Sequence, residues 1–437
     1  MIKEKEQRYK LLSKMAFPIL MNYVVTTLFE VLDKAIVGNY STEGFAAVGV
    51  AGSVIYAITG SLGMLSVAYN IIAAKSIGLG DDKGFKENFL SAMSLSIVIG
   101  IGIIALSLIG GEFLFKEMFG LEGNVLKDCL GYFYISSVTV LLNMIIFIFS
   151  AYFRNLKNTK ISLYSTIVAT GINIVFDYGL VYGKFGLPEV GVKGAAIGSV
   201  IGLTVGIVIY IIEICKEGRL SFKVSFKKNI FKSLITLYIP LLGQDLMEGT
   251  VFTLILTGIV SRLGVYEIAA YSLSETMGSI IALPIFAFSS SAMTLSVQKS
   301  YEGDDIEARN ILKAAIKMSL IIVLTLGIIT LIFPKFIFSI ISNDKVVVSR
   351  VSRIFIVVII VQLINVFQQI YKSFLQGKTD ETYVLKCTIF ISLISIVWIL
   401  FLSKLLSLVG VYIGIGMSYL LLAIFYYNKI IKNSKNT

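Results

Sequence analysis

The chain has 437 residues, 56% of them hydrophobic and 15% charged, with a mean hydropathy of +0.86. Soluble domains carry about 25% charged residues, so the composition excludes an ordinary water-soluble domain and predicts an all-α polytopic membrane protein. There is no histidine, and Cys129, Cys215 and Cys387 lie far apart, so zinc catalysis and Ser-His or Cys-His nucleophile chemistry have no residues to use; the net charge of +11 has to be read from its placement rather than as a nucleic-acid signal.

Residues 1–14 form a charged cap (Lys3, Lys5, Arg8, Lys10, Lys14) with no removable signal peptide expected. Each membrane span needs about 20 apolar residues. Twelve candidates follow, near 14–38, 45–76, 88–111, 128–152, 160–183, 192–214, 233–262, 267–297, 312–341, 349–375, 383–403 and 407–428. Lysine and arginine load both termini and alternate connections. These are Lys83 and Lys86, Arg154 with Lys157 and Lys160, the run from Lys216 to Lys232, Arg309 with Lys313, and Lys372 with Lys378. Positive charge stays on the cytoplasmic side, so both termini are expected there. Lys345, Arg350 and Arg353 are the exception, falling outside in this register.

The chain reads as two lobes, residues 1–215 and 233–437, joined by a basic cytoplasmic linker over 216–232. The lobes echo each other. FPIL at Pro18 matches IPLL at Pro240, an offset of 222, and FAAVG at Ala46 matches IAAYS at Ala269, an offset of 223. LGDD at Gly80 matches EGDD at Gly303, again 223 apart. An even number of spans per repeat makes the repeats parallel, an arrangement that places a substrate site between two halves. No GxxxxGK[ST] run occurs, so no ATP-driven step is expected.

Polar residues inside the spans are the candidate functional groups, because an ionisable side chain in hydrocarbon is costly. Asp33 sits in the first span. In the fifth, Asn173 and Asp177 are four apart and share one helix face. The sixth offers Ser199, with Gly194 and Gly198 as a GxxxG that permits close helix packing. Two carboxylates, an amide and a hydroxyl are hard oxygen ligands that suit Na⁺, and two adjacent carboxylates can equally hold one H⁺. The pair Asn173 and Asp177 could also simply face headgroups at a helix end. In the C-terminal half, Gln244 and Glu248 are an i, i+4 pair, Glu275 lies in the eighth span, and Gln362, Asn365 and Gln369 line one face of the tenth. These six are the candidate substrate-cavity residues. Pro18 and Pro240 occupy matching places in the two repeats, either bending a helix interior or sitting in a first turn.

The aspartate of the first span, the N-x-x-x-D of the fifth, YGKFGLPEVGVKGAA before the sixth and P-x7-E in the seventh together resemble the multidrug and toxic compound extrusion (MATE) transporters, as do RNLKNT and QGKTD after the fourth and tenth spans. The resemblance runs from about residue 11 to 430. It implies a V-shaped pair of six-helix lobes and a secondary antiporter, not an enzyme. Such a protein exports mostly cationic, amphipathic compounds through the cell membrane, as a monomer, in exchange for Na⁺ or H⁺ and with no cofactor. It also implies a cation site of Asp33, Asn173, Asp177 and Ser199, the last in place of the family's threonine, and a C-lobe carboxylate at Glu248. The tenth-span aspartate of one family branch falls on Asn365, which shifts the expected cation site to the N-lobe. The alternatives are a dedicated exporter of one peptide or metabolite, and a lipid-linked oligosaccharide flippase of the wider superfamily.

Overall fold

The computed structural model describes residues 2–218, 228–342 and 344–435, so residues 219–227 of the basic linker expected at 216–232 lie outside the described residues. The regular structure of the described residues is helical: α1 Ile2–Tyr40, α2 Thr42–Leu62, α3 Met64–Gly78, α4 Asp82–Glu112, α5 Gly123–Asn155, α6 Lys160–Tyr182, α7 Val192–Glu217, α8 Lys228–Asp245, α9 Phe252–Ser261, α10 Val265–Tyr301, α11 Asp305–Ile332, α12 Pro334–Ser339, α13 Lys345–Gly377 and α14 Glu381–Lys435. Among the described residues, eleven helical stretches are long and apolar enough to cross a membrane.

The eleventh holds two spans. Fifty-five residues in line would run about 80 Å, far beyond the roughly 30 Å of bilayer hydrocarbon. Ser407 breaks α14 with φ 52° and ψ −134°. Across this break Trp398 Nε1 donates to the Gly414 carbonyl (3.1 Å), Tyr383 Oη donates to the Phe425 carbonyl (3.2 Å), and the Thr388 and Tyr426 hydroxyls share a hydrogen bond (3.0 Å). Pairs that close inward toward residue 407 are the signature of an antiparallel helical hairpin. The twelve spans read from the sequence are thus present, with the last two turning at Ser407.

Three other spans are assembled from pieces, one of them α4 running on into a π-helical stretch, Phe113–Met118. Gly63 joins α2 to α3 without ending the span, and α8 runs into α9 through a π-helical turn, Leu246–Val251. A π turn leaves part of the backbone ladder loose and is frequent at functional sites. This one carries Glu248.

By packing, the chain divides into two compact units, Met21–Tyr238 and a second made of Met1–Leu20 with Ile239–Thr437. The reason the first twenty residues join the second unit is visible in α1. Leu12, Met15, Ala16 and Ile19 recur at helical spacing and are buried, the first three in the core of that unit. Arg8 adds a fork onto Glu307, Nε to Oε1 at 2.7 Å and Nη2 to Oε2 at 2.5 Å. The chain passes between units inside helices, at Leu20/Met21 and Tyr238/Ile239, two residues from Pro18 and Pro240 respectively. Both prolines lie well inside their helices rather than in a first turn.

Candidate functional site

The unit Met21–Tyr238 contains a buried polar cluster built on three helices. Its geometry begins with glycine. A Cβ on Gly198 of α7 would lie 1.9 Å from Asp177 Oδ1, and one on Gly202 would lie 2.7 Å from the Asn173 Cβ. The absence of side chains there lets α7 close on α6, which is how a GxxxG face brings backbones together. Asp177 is fully buried and Asn173 is nearly so. Asn173 Nδ2 donates both to Asp177 Oδ1 (3.2 Å) and to Ser199 Oγ (3.1 Å), tying the two helices at the cluster.

Asp33 reaches the same point from α1. Its carboxyl lies in hydrogen-bonding reach of the Asp177 carboxyl, and Tyr132 of α5 lies near both. The second half of α1 is held in place by aromatic residues of α6 and the loop beyond it. Tyr182 Oη donates to the Ile36 carbonyl (2.8 Å), Tyr40 Oη donates to Glu189 Oε1 (3.1 Å), and the Tyr40 and Tyr182 rings meet edge to face at 5.7 Å. Gly191 of the YGKFGLPEVG loop has a positive φ of 62°, and a Cβ there would lie 3.2 Å from the Tyr40 ring, so the loop packs closely on Tyr40 only because this residue is glycine.

The four residues predicted to act together therefore converge, and their hydrogen bonding is lopsided. Asp33 Oδ1, Asn173 Oδ1 and Asp177 Oδ2 are buried and, among the described residues, have no donor. Buried acceptors are ordinarily satisfied. Three orphaned oxygens within one cluster form a cradle suited to a cation.

The second unit behaves differently. Glu248 has its needs met. Lys372 Nζ donates to Oε2 at 2.8 Å, while Gln244 Nε2 (3.5 Å), Gln368 Nε2 (3.5 Å) and Thr388 Oγ1 (3.4 Å) all approach Oε1. Gln376 Nε2 in turn donates to Gln244 Oε1 at 2.8 Å. Lys372, read from the sequence as part of a cytoplasmic connection, is instead inside α13 with its side chain 11% exposed. The register assigned it to the connection because Lys378 follows closely, yet position 372 already lies within the tenth predicted span. A lysine there was the available signal for a buried ion pair.

The other C-terminal candidates form separate groups. Asn365 Nδ2 donates to Gln362 Oε1 (2.9 Å), and Tyr412 Oη donates to Glu275 Oε1 (3.0 Å). Gln369 offers its backbone carbonyl to Ser289 at 3.5 Å, and the neighbouring Gln368 is the amide that turns to Glu248. Among the described residues no hydrogen bond joins Glu248, Glu275 and Asn365 to one another. Thr388, Gln376 and Tyr426 around Glu248 were not anticipated, because contacts between spans ten, eleven and twelve depend on packing that spacing alone does not reveal.

Comparison with known proteins accords with this architecture. The family model described as MatE matches residues 18–179 and 247–402, one stretch in each half. The chain is 27% identical over 384 residues to a probable multidrug resistance protein NorM of Photorhabdus laumondii subsp. laumondii, covering 86% of this chain and 83% of that one. It is 24% identical over 343 residues to a protein of the same description from Thermotoga maritima, covering 78% and 74%. Among solved structures it superposes with TM-score 0.88 on an outward-facing multidrug resistance MATE family transporter of the MOP superfamily, at 20% identity, covering 98% of this chain and 97% of that one. A MOP superfamily transporter from Pyrococcus furiosus, described as having a binding pocket of reverse polarity, gives the same score and the same coverage at 18% identity. At these identities the solved structures establish the shared fold, and the family model spans most of both halves. The chain is a multi-pass membrane protein that belongs to the MatE family of transporters.

Proposed function

We propose that this chain is a secondary antiporter that exports organic, mostly cationic amphipathic compounds across the cell membrane in exchange for Na⁺ or H⁺, with Asp33, Asn173, Asp177 and Ser199 as the coupling-ion site. The observation that carries this reading is the cradle of three buried oxygens without donors, on Asp33, Asn173 and Asp177. The contact between the Asp33 and Asp177 carboxyls fits one shared proton, since two bare carboxylates would repel. The three free acceptors fit a sodium ion. Both cations would use the same atoms, so occupation by one excludes the other.

Coupling follows from position. Asp33 lies on the second half of α1, on the other side of Pro18 from the stripe that anchors the first half in the second unit. Neutralising Asp33 removes a charge from a low-dielectric setting and lets α1 shift against α6, reshaping the binding surface of the first unit. A helix-interior proline weakens the ladder at the natural place for that bend. Substrate and coupling ion then occupy alternate states of one unit, which is the requirement for exchange. The chain would work as a monomer with both termini cytoplasmic, following the distribution of basic residues, and with no cofactor beyond the ion.

The test is ethidium efflux from energised cells with and without Na⁺ at fixed pH, for the wild type and Asp33→Asn. Efflux that needs Asp33 together with either Na⁺ or the proton gradient supports the reading. Normal efflux by Asp33→Asn at normal expression overturns it.

A further inference from the structure

The two units treat charge in opposite ways. The N-terminal cradle presents three oxygens without donors, and among the described residues no salt bridge is made by Asp33 or Asp177. In the second unit the chain supplies a cation itself. Lys372 Nζ sits 2.8 Å from Glu248 Oε2, and three neutral donors, Gln244, Gln368 and Thr388, approach Oε1. The pair is not sealed: the Glu248 side chain is 27% exposed and that of Lys372 is 11% exposed. Its carboxylate, Glu248, sits on the π turn of the seventh span, where the helix ladder is loosened.

A ligand bearing only positive charge gains nothing here. To reach Glu248 it must displace an ammonium tethered to α13, or sit beside it with two cations on one carboxylate. A ligand that carries both signs meets a different site. Its cationic end shares the Glu248 carboxylate with Lys372, and its own carboxylate takes the remaining N–H donors of Lys372, of which Glu248 uses one, so the second cation is neutralised. The charges then alternate and none is left unpaired, the condition under which partly buried ions are tolerated. The surrounding amides of Gln244, Gln368 and Gln376 both donate and accept, so they can accommodate either end.

We propose that Lys372 is a specificity-determining residue of the second unit. As a tethered cation on Glu248, it disfavours purely cationic ligands there and selects zwitterionic ones that present a carboxylate together with a cationic group. This deepens the transport reading above and rests on it for its biological meaning, but the binding itself needs no gradient.

A matched pair of dyes isolates the charge. Rhodamine B carries a carboxylate beside its cationic xanthene, and its ethyl ester is the same cation without the carboxylate. Binding to the purified full-length protein in detergent, read by fluorescence polarisation, should favour rhodamine B over the ester by about tenfold in the wild type, the scale of one charge-assisted contact. Lys372→Met should abolish or invert that preference, chiefly by tightening the ester. Lys372→Arg should keep it. Should Lys372→Met fail to fold, because Glu248 loses its partner, the double variant Glu248→Gln/Lys372→Met removes both charges and should bind the two dyes within about twofold. The proposal is overturned if the wild type does not discriminate, if it prefers the ester, or if the preference for rhodamine B survives in Lys372→Met or in the double variant. Loss of ethidium efflux in cells with the dye preference intact would count against the antiport reading instead.

Discussion

The closest approach in the candidate cation site is between α7 and the Asp177 side chain, and it makes Gly198→Ala a sharp test of how the site is built. The added Cβ would stand 1.9 Å from Asp177 Oδ1, 2.9 Å from its backbone nitrogen and 3.0 Å from its Cγ, whereas ordinary contact begins at 3.4 Å. The backbone nitrogen cannot rotate away, so α6 and α7 must part somewhat, and the Asp177 carboxyl must end about 1.5 Å further off, the difference between 3.4 and 1.9 Å. Overpacking of this kind costs about 1–3 kcal/mol. The Asn173–Asp177 hydrogen bond, already 3.2 Å, would not survive such a shift. Misplacing a supporting group around a bound cation typically weakens its affinity about 10–100-fold. The assay is twofold: thermal unfolding of the purified protein, and the Na⁺ or proton dependence of ethidium efflux. Gly171→Ala on the same α6 is the control, since a Cβ there meets nothing within 4 Å. The expected result is loss of stability and a rightward shift in cation dependence for Gly198→Ala, with neither change for Gly171→Ala. Wild-type unfolding and wild-type cation dependence in Gly198→Ala would refute the packing argument.

Four further outcomes follow from single contacts. Asn173→Leu removes the amide that donates to both Asp177 and Ser199, and should cost about 1–3 kcal/mol in thermal unfolding as well as ion-coupled efflux, because Asp177 Oδ1 is left buried without that donor. Tyr182→Phe deletes the 2.8 Å hydrogen bond that holds the Ile36 carbonyl, and should destabilise by about 0.5–1.5 kcal/mol while leaving efflux measurable. Arg8→Ala breaks the two-pronged contact with Glu307 and should lower the unfolding midpoint by the equivalent of about 1 kcal/mol, an effect that shrinks in high salt. Ser407→Gly should raise stability by about 1 kcal/mol in the same assay, since φ 52° is a conformation that glycine adopts without the penalty serine incurs.

Much of the N-terminal cluster was legible because hydrocarbon leaves few reasons for a polar side chain. Asp33, Asn173 and Asp177 stand out in apolar runs, and a four-residue spacing suffices to place the last two on one face. The glycines of α7 were equally readable, since GxxxG states how near the neighbouring helix comes. Lys372 was misplaced for the complementary reason. Charge near the end of a span can belong to the connection or to the interior, and only its partner decides. That partner, Glu248, is 124 residues away. The break at Ser407 falls one residue past the gap at 404–406 between the predicted eleventh and twelfth spans, and no glycine or proline marks the turn itself. The assignment of Met1–Leu20 to the second unit was not foreseen from helix propensity, which is local. It depends on the Leu12, Met15 and Ala16 stripe finding a core that comes two hundred residues later in the chain.

The most direct measurement of the central claim is cation release on substrate binding. Purified protein in weakly buffered detergent solution, equilibrated with radioactive Na⁺ and a pH indicator, would be titrated with ethidium. Because binding linkage is reciprocal, a substrate that excludes the coupling ion must expel it, so the account predicts about one Na⁺ or one proton released per chain by the wild type. Asp33→Asn should release neither. Ethidium binding without release from the wild type, or equal release from Asp33→Asn, would contradict the account.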